Sequence, residues 1–183
     1  MRRGLVLFAV LSLGSYVLVG IPPVVGCPCD HSRPETLASR VCGLCRTAEE
    51  EDAEFYFLKD INPHKPNRYL ALPKAHSRDL QGPSNLSDGE RSRYWRAAIE
   101  KAKELYPNRW GLAANGHFFR TQCHAHIHIG PLSRLLEHTD GQLFDDPADF
   151  PNAGLEQGIW VHPFDGRYCV HLDRDLAEVV LVR

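Results

Sequence analysis

The chain has 183 residues, 24% of them charged and 43% hydrophobic, an ordinary composition for a soluble globular protein. Its formal net charge of −2 excludes the basic footprint of a non-specific nucleic-acid binder. Ten histidines are many for this length.

The N-terminus stands apart from the rest. Met1-Arg2-Arg3 is a short basic start, and residues 4 to 20 form an uncharged apolar run of 17 residues. Such a run predicts a secretory signal or a single membrane anchor over residues 1–26, with the arginines on the cytoplasmic side. Ile21-Pro22-Pro23 ends any helix. Val24-Val25-Gly26-Cys27 has the form of a bacterial lipoprotein cleavage site. Either way, the protein is expected to be extracytoplasmic and held at a membrane.

Residues 27–53 hold four cysteines and the acidic run Glu49 to Asp52, and read as a lead-in loop or short helix. The domain proper is expected over 54–183. Residues 54–60 predict a strand, 61–66 a turn, and 68–73 a second strand stopped by Pro73. Ser87 and Glu90 form a capping box. Behind it Trp95, Ala98, Ile99, Ala102 and Leu105 recur at helical spacing, which predicts the core face of a long amphipathic helix ending at Pro107. Residues 109–115 predict a third strand. After the histidine-rich segment, residues 137–156 are rich in Gly, Pro and Asp and read as a surface loop. Residues 158–164 and 167–173 flank Asp165-Gly166, a hairpin signal, and 177–182 read as a final strand. This order predicts an α+β fold built on an antiparallel sheet.

Residues 120–130 place His124, His126 and His128 at every second position. On a strand they share one face, with Ala125, Ile127 and Ile129 on the other. The small and apolar residues suit a core, which would leave the imidazoles facing a cleft. The segment His124-Ala-His-Ile-His-Ile-Gly130 resembles the His-φ-His-φ-His-φ-φ pattern of the histidine triad superfamily of nucleotide hydrolases and transferases, where φ is apolar. The resemblance extends over about residues 42 to 130. It takes in an Asp-x-x-Pro turn, a Pro-Lys-x-His strand end, a long helix, and a strand ending in Asn. Within that superfamily, Asn115, Arg120, Gln122, His124, His126, Ile127, His128 and Ile129 match in register the bacterial CDP-diacylglycerol pyrophosphatases, with Thr121 in place of Ser. That family also begins with a membrane segment and a cysteine pair, carries Lys-Asp before the turn (here Lys59-Asp60), and lacks the further histidine at the position of Arg68.

The resemblance implies a HIT-like fold and a covalent mechanism. His126 would attack the nucleoside-side phosphorus of a pyrophosphate, giving a nucleotidyl-histidine that water cleaves. A neutral imidazole suits this role, being nucleophilic near pH 7 and leaving readily once protonated. His128 would hydrogen-bond phosphate or leaving oxygens, and His124 would complete the triad. Arg120 would supply positive charge, Thr121 and Gln122 would donate to non-bridging oxygens, and Asn115 would position the α-phosphate. Asp60 corresponds to the family's ribose contact; on its own residues it reads equally as a turn-former. No divalent metal is required for this chemistry.

Cys42-Gly-Leu-Cys45 has zinc-ligand spacing. Some triad proteins combine such a pair with the histidine of Pro-Lys-x-His and the first triad histidine, which here implies a structural zinc on Cys42, Cys45, His76 and His124. The alternative is structural disulfides among Cys27, Cys29, Cys42 and Cys45, which an exported domain permits. Cys123 and Cys169 fall on predicted strands and read as core residues or a second bridge; His162 and His171, on facing hairpin strands, read as structural. Three functions follow from these readings: a membrane-tethered pyrophosphatase cleaving CDP-diacylglycerol to CMP and phosphatidic acid, a general hydrolase or transferase of a soluble nucleotide, and a metal-binding protein using His-x-His-x-His as ligands. Arg120 opposes the last, since one cation repels another. Triad proteins are often dimers, so a homodimer is the oligomer the resemblance suggests.

Overall fold

A computed structural model describes residues 24, 26–75, 82–136 and 140–183. Seven strands form one antiparallel sheet in the order β1-β2-β4-β3-β6-β7-β5: β1 (Phe55–Lys59), β2 (Tyr69–Pro73), β3 (Trp110–Ala114), β4 (Ile127–Pro131), β5 (Gln142–Phe144), β6 (Ile159–Phe164) and β7 (Arg167–His171). Two α-helices accompany it, α1 (Gly43–Glu49) and α2 (Asp88–Leu105). The fold is therefore mixed α and β on an antiparallel sheet, as the element order predicts.

Strand periodicity divides the side chains between two faces. On one face Ala71, Leu112, Ala114, Ile127, Ile129, Ile159, Val161 and Val170 pack against Tyr94, Trp95, Ala98, Ile99 and Ala102 of α2. That helix starts where the sequence places it: Ser87 Oγ accepts from the Glu90 N–H while the Glu90 carboxylate accepts from the Ser87 N–H. The opposite face carries Leu70 paired with His128, Ala113 paired with both His128 and Trp160, and Trp160 paired with His171. Here α1 covers β1 and β2 through Ala48, Tyr56 and Leu72, and a cluster of Leu132, Trp160, Ala177, Val180 and Leu181 covers the middle.

The 158–173 hairpin forms as predicted, turning on Asp165 and Gly166, both at positive φ as a tight two-residue turn requires. Three expectations are corrected. Residues 177–182 are not a strand: Ala177–Val180 form a 3₁₀ helix, leaving only a single bridge between Leu181 and Leu132. Glu178 holds this segment, because its backbone N–H donates to Asn115 Oδ1 at 2.9 Å and its side chain meets the half-buried Lys65 and the buried Arg68. The 137–156 stretch is not only loop; it contains β5, whose partner is β7, and a 3₁₀ turn at Pro147–Asp149 capped by Asp146. Finally, β4 begins at Ile127, so His124 and His126 lie before the strand. Its pairing with β2 ends at Ala71↔Ile127, and beyond that point the Pro73 carbonyl accepts from a histidine side chain instead.

Candidate active site

The three histidines are brought together, all buried, at the start of β4. Pro73 closes β2, and its free carbonyl oxygen takes the Nε2–H of His124 at 2.7 Å. The His124 carbonyl in turn accepts from His126 Nδ1 at 2.8 Å. A carbonyl can only accept, so Nδ1 of His126 carries the proton and Nε2 keeps the lone pair. The ring of His128 lies edge-on to that of His126, with centroids 4.9 Å apart.

Burial lowers the pKa of His126, and the Arg120 charge adds to that shift while the bond to the His124 carbonyl works against it. His128 is brought down to about 3, chiefly by burial, with Glu178 pulling the other way. Both rings are therefore neutral near pH 7. His126 is 8% exposed, so little of it meets solvent.

Arg120 is buried beside the triad, and its Nη2 bonds His117 Nδ1 at 2.7 Å. With Asn115, Trp95, Gly82 and Leu155 it lines a cleft at this end of the sheet. No triad histidine lines that cleft directly. Leu155, which lines it, is 44% exposed, and the His117 N–H donates to the Leu155 carbonyl, tying that residue to the segment that carries Phe118 and Phe119, 57% and 45% exposed. Gln122 Oε1 is buried with no hydrogen-bond partner among the described residues. The Thr121 carbonyl accepts from Arg40. Asn115 commits both ends of its amide to Glu178, so it braces that residue rather than facing the cleft unengaged. The Asp60 carboxylate accepts from the Asn62 N–H, closing the turn between β1 and β2.

Sequence reasoning missed Glu178. Its carboxylate bonds Lys65 and, at 2.6 Å, Arg68, and lies 3.8 Å from His128 Nδ1. Arg68 is 1% exposed and also donates to the carbonyls of Glu178, Leu181 and Val182. Burial would raise the pKa of Glu178, but His128, Lys65 and Arg68 outweigh it and hold the carboxyl below the ordinary range. The signal was a lone acid inside an apolar stretch, about 110 residues beyond its partner.

The zinc set is corrected at Cys42, whose sulfur forms a disulfide with Cys29 and so is no thiolate ligand. His124 Nε2 faces the Pro73 carbonyl, and His76 lies outside the described residues. The residues therefore do not fit a zinc on Cys42, Cys45, His76 and His124. Cys45 is buried as a free thiol, which burial pushes up to about 12. Among the described residues two other groups have metal-binding composition: Cys27/Cys29/Cys123, in which the disulfide takes Cys29 out in the same way, and His162/Cys169/His171. Among the described residues no helix is long and apolar enough to cross a membrane; the apolar run at 4–20 lies outside them.

A scan against protein-family models and a search of curated proteins each found no match to this chain.

Proposed function

We propose that the chain is a HIT-like, membrane-tethered pyrophosphatase that cleaves CDP-diacylglycerol to CMP and phosphatidic acid. The observation that carries the reading is the tautomer of His126: Nδ1–H is held by the His124 carbonyl, leaving a neutral Nε2 lone pair in a buried setting with Arg120 nearby. In the first step Nε2 attacks the phosphorus on the cytidine side. The bond to the bridging oxygen breaks, and phosphatidate leaves with that electron pair. Water then attacks the same phosphorus, the P–N bond breaks with its electron pair returning to Nε2, the water gives up one proton to solvent, and CMP is released with the ring restored. Arg120 offsets the negative charge that builds on the non-bridging oxygens. Gln122 and Thr121 are the next donors in line, and His128 serves the leaving oxygen.

The exposed apolar side chains of Phe118, Phe119 and Leu155, joined through the His117–Leu155 backbone bond, favour a lipid over a soluble nucleotide. Tethering through the N-terminal segment suits a two-tailed substrate that stays in the bilayer.

The test is CMP release from CDP-diacylglycerol in detergent micelles by the full chain, with His126→Ala alongside. Release by the wild type and loss of at least 10³-fold in the variant is the expected result. Cleavage of soluble nucleotide pyrophosphates alone would transfer the assignment to a general nucleotide hydrolase. Undiminished release by His126→Ala would end the nucleophile assignment.

A further inference from the structure

The β6–β7 hairpin holds a second constellation, independent of the triad chemistry. Its register sets His162 directly opposite Cys169 and Trp160 opposite His171. Residues two apart on a strand share a face, so His162, Cys169 and His171 converge on the side of the sheet away from α2. All three are buried. His162 Nε2 and His171 Nε2 are 3.1 Å apart, and Cys169 Sγ is 3.2 Å from His171 Nε2. The outer ring nitrogens face oxygen: His162 Nδ1 donates to the Pro163 carbonyl at 3.0 Å, and His171 Nδ1 lies 3.7 Å from Asp140 Oδ1. Imidazoles that ligate metals are oriented in this way, with the far N–H directed at a carbonyl or carboxylate and the near lone pair aimed at the ion.

We propose that His162, Cys169 and His171 form a zinc site. Around tetrahedral zinc, with bonds of about 2.0–2.1 Å to nitrogen and about 2.3 Å to sulfur, ligand atoms sit roughly 3.3–3.6 Å apart. The distances here need an expansion of a few tenths of an ångström. Gly141 packs directly against the ligand atoms: a Cβ at that position would stand 2.5 Å from Cys169 Sγ and 2.6 Å from His171 Nε2, so any side chain there would push them out of place. Trp160 stacks on the His171 ring at 3.8 Å and fixes its plane. On binding, the thiol proton of Cys169 goes to solvent and the two Nε2 lone pairs complete a three-ligand set, with water as the fourth ligand. Copper is the weaker fit, because the thiolate–imidazole copper sites add a soft axial ligand and the only methionine is Met1.

The experiment uses the full chain in detergent without an affinity tag, loaded with cobalt(II) as an optical probe and then with zinc. One equivalent of cobalt with a thiolate-to-metal charge-transfer band, displaced by one equivalent of zinc, is expected. The band should vanish in Cys169→Ser, and zinc should bind at least tenfold more weakly to His162→Gln. Both signals should persist in Cys45→Ser and Cys123→Ser. Should the hairpin variants fail to fold, zinc-edge X-ray absorption of the wild type gives the answer alone, with one sulfur and two imidazoles expected. No bound metal, a sulfur-rich shell, or a band that survives Cys169→Ser would overturn the proposal.

Discussion

His126 and Glu178 carry the residue-scale predictions. Burial depresses the pKa of His126 below its ordinary 6.5, so the ring, the proposed nucleophile, stays neutral into mildly acidic solution. The acid limb of kcat/KM against pH should therefore fall below pH 6.5; a limb at or above that value would show that the ring is not buried as described. Glu178 is a carboxylate held below its ordinary 4.5 in the fold. Its contribution to stability is thus present above about pH 4.5 and is lost as pH falls towards its folded value. Glu178→Ala strands the buried Arg68 guanidinium without its ion-pair partner, and should cost about 3–5 kcal/mol in denaturant unfolding. A cost under about 1 kcal/mol would mean that the Lys65–Arg68–Glu178 group is not formed.

At the scale of elements, the Cys29–Cys42 disulfide ties the lead-in to the start of α1 across a sequence separation of 13. A loop of that size is worth about 3 kcal/mol, and the Cys29→Ser/Cys42→Ser double variant should lose about that much in denaturant unfolding. An unchanged midpoint would argue that the lead-in contributes nothing to the fold. Elements whose signals are local were legible in the sequence. Ser87 and Glu90 fix the start of α2, Asp165-Gly166 fixes the hairpin, and alternating Ile127 and Ile129 show which face of β4 packs in the α2 core. Elements set by distant partners were not. Residues 142–144 become a strand because β7 offers an edge, and 177–180 wind into a 3₁₀ helix because Glu178 must reach Lys65, Arg68 and Asn115. The same division runs through the candidate site. The triad and Arg120 announce themselves by spacing, whereas the Pro73 carbonyl that holds His124 carries no residue-type signature at all.

For the whole molecule, the two faces of one sheet have different tasks. The α2 face supplies the main core, and the other face carries the triad at β4 and the His–Cys cluster at the β6–β7 hairpin. On the proposed function, the exposed Phe118 and Phe119 matter only for a substrate at a bilayer. Phe118→Ser/Phe119→Ser should raise the KM for CDP-diacylglycerol in vesicles severalfold while leaving cleavage of a short-chain soluble analogue within twofold. Equal loss on both substrates would assign these rings to structure. The central claim is the proposed covalent step at His126, and the most direct measurement is intact-mass and peptide analysis of the protein after rapid quenching with CDP-diacylglycerol. A cytidylyl group on the peptide that contains His126, absent in His126→Ala, is the predicted result. Turnover with no adduct, or with the adduct on another residue, would contradict it.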